Sequence, residues 1–414
     1  MYVYLLATLD TKGREIGYVR DRLVALGIPC RVLDAGCQGE PAIEADVTRQ
    51  QVFEAAGTTL AAMRQKGDRG DAVTKAAEGA ANLIARWYGE GKVAGVLAVG
   101  GSAGTLIGTS AMRALPLGVP KVMLSTLASG DVRAFVGPKD IVMINSVVDI
   151  LGLNRISRTV LAEAAHAMAG LVRFRMEMSQ TEDKPLVAAT MFGVTTPCVE
   201  RAKKVLEDAG CEVLVFHATG NGGQAMESLI RDGVLAGVLD ITTTELADEL
   251  VGGVLSAGPQ RLTAAAETGV PQVVSVGATD MVNFWAMDTV PPQFRQRRLH
   301  RHNANVTLMR TTPDENVRIG TDLGRKVAAS RGPAIIMLPR QGVSAIDRSG
   351  QPFDDPQART ALYAAIRGSC GSVPLIEMDL HINDPAFAEA AASKLLELIG
   401  TRGLSNSPRS ASGG

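Results

Sequence analysis

The sequence predicts an α/β fold made of two Rossmann-like domains, each a mostly parallel sheet flanked by helices. Three observations predict it. Short, wholly apolar runs such as residues 2–9 and 93–99 (VAGVLAV) have the character of strands buried on both faces. Amphipathic stretches alternate with them; residues 13–26 carry Ile16, Val19, Leu23 and Leu26 on one side of a helix. The opening order of strand, threonine-containing turn, helix, glycine and strand (YVYLLATLDTKGREIGYVRDRLVALGIPCRVLDAG) returns later as KPLVAATMFGVTTPCVERAKKVLEDAGCEVLVFHATG.

Each element follows in turn. Residues 2–9 form the first strand, 13–26 a helix ended by Gly27, and 29–33 a second strand, a right-handed parallel unit. Residues 52–63 and 73–88 read as helices on either side of the charged loop KGDRGD. The strand 93–99 runs straight into GGSAGT and a helix over 105–115; strands follow at 119–124 and 140–144, then a long helix from 154 to about 178. SQTEDKP (179–185) is polar, ends in proline and precedes the fresh strand 186–189, so it is read as a linker. The domains are then 1–180 and 181–403, with a low-complexity, disordered tail at 404–414.

Composition bounds the function. With 414 residues, 46% of them hydrophobic and 21% charged, the chain has the balance of a globular protein too long for one core. A net charge of -1 argues against a nucleic-acid partner. Five scattered cysteines (30, 37, 198, 211 and 370) without CxxC spacing suit reduced, buried thiols. Cys370, between glycines in GSCGS, is read as packing before nucleophile. The amino terminus reads as a strand, not a signal peptide, and no apolar run is long enough to span a bilayer, so a cytoplasmic protein with no membrane partner is expected.

The chemistry is expected first at residues 100–105, GGSAGT. In a doubly wound sheet, ligands bind where a strand's carboxyl end leads into a helix. Gly100, Gly101 and Gly104 let the backbone approach an anion, and the helix N–H groups and dipole favour negative charge. Ser102 and Thr105 add hydroxyls, and Ala103 completes the loop. Thr8, Asp10, Thr11 and Lys12 follow the first strand; Lys12 is placed to neutralise phosphate and Asp10 to hold Mg2+ directly or through water. Thr126, Ser129 and Gly130 come from STLASGD after another strand. There is neither a Walker loop nor a GxGxxG after the first strand, which favours a mononucleotide over NAD.

The second half offers a polar cluster. His300 and His302 in LHRHN share one side if the segment is extended, as general bases, as hydrogen-bonded contacts or, with Asp280 or Glu245, as metal ligands, although no complete metal pattern is present. Asn303, Arg340 and Glu245 join the two histidines as candidate catalytic residues. GNGG (220–223) resembles a second anion-binding turn, Thr243 or Thr244 reads as a helix cap, and Asp354 and Asp355 as caps for a helix from Pro356.

LATLDTKG, DRGDAV, GVLAVGGSAGT, AMRALPLGVPKVMLSTLASGD, SVVDI, HRHN and LMRTT together resemble the family of the ATP-binding amino-terminal domain of the tomato mosaic virus resistance protein and its bacterial relatives, over roughly residues 1–400. The resemblance implies two Rossmann-like subdomains, ATP in the first, and a homodimer or higher homo-oligomer. It also implies glycine at position 103, where this chain has Ala103. Residues and resemblance lead to one expectation: an ATP-binding protein that acts as a transferase, ligase or hydrolase on an acidic small molecule at the interdomain cleft. The alternatives are a non-catalytic, nucleotide-responsive binding protein, and a hydrolase or lyase of a carbohydrate-derived acid whose site lies in the second domain.

Overall fold

The computed structural model of the chain describes residues 1–175 and 184–405, with side chains described as far as residue 400. The junction expected at 180/181 and the tail from 406 onward lie outside the described residues. The chain divides into two compact units, Met1–Met178 and Ser179–Gly414.

The first unit runs β1 (Tyr2–Ala7), α1 (Leu9–Ala25), β2 (Cys30–Asp34), α2 (Arg49–Ala55), α3 (Leu60–Lys66), α4 (Arg69–Gly89), β3 (Val93–Gly100), α5 (Ser102–Arg113), β4 (Lys121–Ser125), α6 (Arg133–Val136), β5 (Val142–Asn145) and α7 (Arg155–Arg173). Its five strands are all parallel, in the order β2-β1-β3-β4-β5. Val3, Leu5, Leu97, Val99, Val122 and Leu124 pack on one face with Ile16 and Val19 of α1 and Leu161 and Ala165 of α7. Tyr4, Leu6, Val96, Ala98 and Met123 pack on the other with α2, α4 and α5. This is the period-2 alternation of strands buried on both sides. The helix expected over 52–63 is two helices, broken at Gly57 in the left-handed region (φ 71).

The second unit runs β6 (Leu186–Met191), α8 (Thr196–Asp208), β7 (Glu212–His217), α9 (Asn221–Arg231), β8 (Gly237–Thr242), α10 (Thr244–Val251), α11 (Ala264–Thr268), β9 (Gln272–Gly277), β10 (Met281–Phe284), β11 (Leu299–Arg301), β12 (Thr307–Arg310), α12 (Pro313–Ala328), β13 (Ala334–Pro339), α13 (Pro356–Ser369), β14 (Leu375–Met378) and α14 (Pro385–Ser405). Its main sheet is parallel, in the order β14-β13-β9-β8-β6-β7. The small sheet β10-β12-β11 is antiparallel. The first five strands of the main sheet repeat the connectivity of the first unit. In each sheet the order in which strands are added turns back between the first and third strands, β1/β3 and β6/β8, while all of them stay parallel. The carboxyl ends of those strands mark the ligand crevice of such a sheet.

Candidate functional site

At the switch point of the first sheet, β3 ends at Gly100 and α5 begins at Ser102, three residues earlier than the periodicity indicates. Gly101 is the N-cap, with φ -82 and no side-chain cap. The amides of Ser102, Ala103 and Gly104 have no hydrogen-bond acceptor among the described residues, and all three residues are at least partly exposed. One loop glycine is explained by packing: a Cβ on Gly100 would come within 2.7 Å of the Gly104 Cα, whereas a Cβ on Gly104 would meet the Val99 carbonyl oxygen only at an ordinary 3.4 Å. Gly101 is different. Its nearest neighbour would be Thr126 Oγ1 at 3.6 Å, and its φ suits any residue. A serine or aspartate there would cap the helix better; glycine leaves the amides open.

The neighbouring loops divide. Thr105 is buried, its hydroxyl donating to the Gly101 carbonyl (2.8 Å) and sharing a hydrogen bond with Ser125 Oγ (2.6 Å), so it fixes the loop from below. Thr126 stands beside Gly101, while Ser129 and Gly130 are exposed in the turn beyond it. Thr8, Asp10, Thr11 and Lys12 were expected in a loop, but α1 starts at Leu9, so the last three lie in its first turn. The Thr8 and Thr11 hydroxyls bond each other at 2.7 Å. Lys12 Nζ donates to the Ile150 carbonyl, which keeps a half-buried cation at this edge. Asp10 turns toward β2 and accepts from the Gln38 amide at 3.1 Å.

The second unit contains a network that the sequence did not reveal. Arg261, wholly buried, donates to Asp240 (2.5 and 2.7 Å), Glu245 (2.6 Å) and Glu227 (3.4 Å). Burial opposes its charge, but the three carboxylates outweigh that and hold it well above the usual guanidinium range. Glu245 also accepts from the Gly220 and Gly223 amides at 2.7 and 3.1 Å, and a Cβ on Gly223 would lie 2.2 Å from its Oε2. Two expectations are corrected here. GNGG does bind an anion, but that anion is the chain's own Glu245, and Glu245, with no exposed surface, faces no substrate. Glu227 in turn accepts from the amides of Leu262, Thr263 and Ala264, capping α11, with Leu262 in the left-handed region (φ 71).

Above this network, at the carboxyl ends of β6 and β7, lies a cavity of about 420 Å³. Phe192, His217, Asn221, Asn283, Trp285 and His302 are among its lining residues, and Asn303 joins them. Two expected catalytic residues, His302 and Asn303, are therefore brought together, but the other three are not. His300 packs its ring edge-on to Phe353 at 6.1 Å; Arg340 is exposed after β13, its amide bonded to Met378; Glu245 is buried as above. Among the described residues, no group of three or more His, Cys, Asp or Glu is placed to hold a metal. Asn283 lies inside β10 and Phe192 directly follows β6, and neither belongs to a motif legible in the sequence. Thr243 starts α10 without capping it, since its hydroxyl donates to the Ser275 carbonyl.

Behind Asn283 sits Asp248, which accepts from the Asn283 amide (2.9 Å) and Nδ2 (2.6 Å). Burial pushes the Asp248 carboxyl up to about 7, against the pull of those hydrogen bonds. An acid raised on folding binds its proton more tightly in the native state. Its contribution to stability is therefore fully present below about pH 4, is lost as pH rises through 7 and is constant above that. Asp248→Asn is expected to flatten that part of the stability–pH profile, as read by urea unfolding at pH 5 and pH 8.

One family model, described as the amino-terminal domain of an uncharacterised protein family (UPF0261), matches residues 1–177, and its carboxyl-terminal counterpart matches residues 184–399. The chain belongs to the UPF0261 family. A UPF0261 protein of Clostridium tetani is 47% identical over 399 residues, covering 96% of this chain and 98% of that one. A tomato (Solanum lycopersicum) protein described as ToMV susceptible protein tm-1(GCR26) is 44% identical over 337 residues, 80% of this chain but 45% of the plant protein. A second tomato relative, described as ToMV resistance protein Tm-1(GCR237), is 46% identical over 316 residues, 75% of this chain and 42% of its own. This UPF0261 chain thus spans under half of either tomato relative. No described helix is long and apolar enough to cross a membrane.

Proposed function

We propose that the first unit of this UPF0261 protein binds a phosphate-bearing mononucleotide, ATP, on the amides of Ser102, Ala103 and Gly104. One observation carries the reading. At the switch point of the sheet these three N–H groups have no acceptor among the described residues, and the cap position holds a glycine that neither packing nor φ demands. Free amides at a helix start, with the dipole behind them, favour an anion. The comparable junction in the second unit, Thr242–Thr244 with Glu245, has no exposed surface. Lys12 supplies a positive charge at the same edge, Thr126 a hydroxyl beside the loop, and Ser129 and Gly130 its outer border. Mg2+ belongs to this reading as the counter-ion of ATP. It keeps several waters and needs few protein ligands, and Asp10 offers the oxygen not held by Gln38.

The enzyme form of this reading is ATP-dependent transfer, ligation or hydrolysis; the non-catalytic form is a nucleotide-responsive binding protein that does not turn ATP over. Release of inorganic phosphate by the purified chain with Mg2+ and ATP separates the two. The acidic substrate and the dimer rest on the sequence reading and the resemblance. A hydrolase or lyase of a carbohydrate acid in the second unit gains no support from its cavity, whose lining holds no lysine or arginine among the described residues. Thermal unfolding tests nucleotide binding itself. ATP at about 100 times its Kd stabilises the native state by about 2.7 kcal/mol, and a rise in Tm of about 5 °C or more is expected at this domain size. No rise with ATP at millimolar concentration, with or without Mg2+, contradicts the reading.

A further inference from the structure

The loop that carries the chain from β5 to α7 borders the crevice of the first unit. Its Ser146 amide donates to the Ser125 carbonyl (3.2 Å) at the end of β4, and the Thr126 amide donates to the Gly100 carbonyl (3.3 Å) at the end of β3. At its far end the Ile150 carbonyl accepts from Lys12 Nζ, and the Gly152 amide donates to Glu15 at 2.6 Å, both partners lying in α1. The loop therefore runs along the carboxyl edge of the sheet from β5 back to α1. Helices α1 and α7 cover the face opposite α5, so the Ser102–Gly104 amides stand on one side of the crevice and residues 146–152 on the other. Gly100, Ser125 and Asn145 form one row across the sheet. The loop thus begins two strand spacings, about 10 Å, from the phosphate loop, which matches the span of a nucleotide from phosphate to base.

This loop is pinned, strained and apolar on its outside. The Val148 amide donates to the Ser146 carbonyl at 2.7 Å and closes a three-residue turn on Val147, whose φ of 64 lies in the left-handed region that a β-branched residue rarely enters. Ser146 is buried, and its Oγ donates to the Val148 carbonyl at 2.6 Å and holds the turn. Glycine at position 147 would carry no such strain. Valine instead sets a branched apolar side chain in water, 69% exposed. Leu151 is 78% exposed, although its neighbour Ile150 is buried in the core. Aliphatic surface held in water by a fixed backbone gains from being covered, and a pinned loop loses little freedom when a ligand covers it. We propose, resting on the nucleotide reading above, that Val147 and Leu151 are the platform on which the base of that nucleotide lies while Ser102–Gly104 hold its phosphate. The contact is apolar, so it favours a heteroaromatic base over a bare polyphosphate and discriminates little between one base and another.

Calorimetric titration of the full-length chain with Mg-ATP and with Mg-tripolyphosphate tests this, in wild type and in the double variant Val147→Gly, Leu151→Ser. Both side chains are exposed and glycine suits the φ at 147, so the variant is expected to fold with an unchanged or higher Tm. Wild type is expected to bind ATP at least tenfold more tightly than tripolyphosphate. The double variant is expected to lose tenfold or more in ATP affinity and to hold tripolyphosphate as wild type does. Leu151→Ser alone, expected to lose threefold or more for ATP, carries the comparison if the pair does not fold. Undiminished ATP affinity in the folded variants overturns the platform and leaves the phosphate loop standing, and loss of self-association in sedimentation would then mark the face as a contact between copies. Equal affinity of wild type for the two ligands, or equal loss of both in the variant, overturns the platform as well. If wild type binds no ATP, the nucleotide reading itself fails and the platform falls with it.

Discussion

Arg261→Met is expected to destabilise the second unit by about 3–5 kcal/mol, the cost of removing one partner from a buried ion pair. Here one guanidinium serves Asp240, Glu245 and Glu227, none more than slightly exposed, so its loss leaves Asp240 and Glu245 without their cation and Glu227 with only the more distant Arg231 at 3.8 Å. Glu245 anchors the Gly220 and Gly223 amides, and Glu227 those at the start of α11, so the damage spreads to the turn beside Asn221 that borders the cavity. The carboxyls of the variant can recover part of the loss by taking up protons, so the deficit should be larger at pH 8 than at pH 5. Arg261→Lys should not restore stability, because a single ammonium cannot span the fork of donors that reaches Asp240 through two nitrogens and Glu245 through a third. Urea unfolding of the three proteins at both pH values measures all of this. Wild-type stability in Arg261→Met would contradict the role given to the network.

The second large effect concerns the first unit. Gly101→Asp has room, because the nearest atom to its Cβ would be Thr126 Oγ1 at 3.6 Å. An aspartate at this N-cap accepts from the amides that follow, as Glu245 does for Gly220 and Gly223. The variant is expected to keep or slightly raise its Tm, since an N-cap is worth about 1 kcal/mol. Its affinity for ATP is expected to fall by about 30-fold or more, because a charge-assisted hydrogen bond of about 2 kcal/mol is lost and a like charge is added. Calorimetric titration with Mg-ATP reads the affinity, and the melting curve separates it from misfolding. Undiminished ATP binding in a folded Gly101→Asp protein would remove the loop from the site.

Much of the architecture was legible because strands buried on both faces are nearly pure apolar runs. VAGVLAV and its successor GGSAGT could be placed at a strand end and a helix start without knowing anything else. Boundaries slipped where local chemistry was ambiguous: α1 takes in Asp10, Thr11 and Lys12, which a loop would also accommodate. The polar residues of the second unit were harder to assign. Glu245 follows a strand and begins a helix, just as a catalytic carboxylate does, and only its distant partner Arg261 shows that it is structural. The close approach demanded by Gly223 was readable; that a protein carboxylate makes the approach was not. His302 and Asn303 could be singled out because two of the chain's five histidines fall in one short segment, whereas Asn283 is tied to Asp248 by a hydrogen bond that no spacing encodes.

The central claim is that three unclaimed amides receive a phosphate. It is tested most directly by following the backbone amide resonances of Ser102, Ala103 and Gly104 in the full-length chain as Mg-ATP is added. Saturable downfield shifts of these amides, at the same midpoint as the thermal stabilisation, are predicted. Stabilisation by ATP that leaves all three resonances unmoved would place the nucleotide elsewhere and contradict the account.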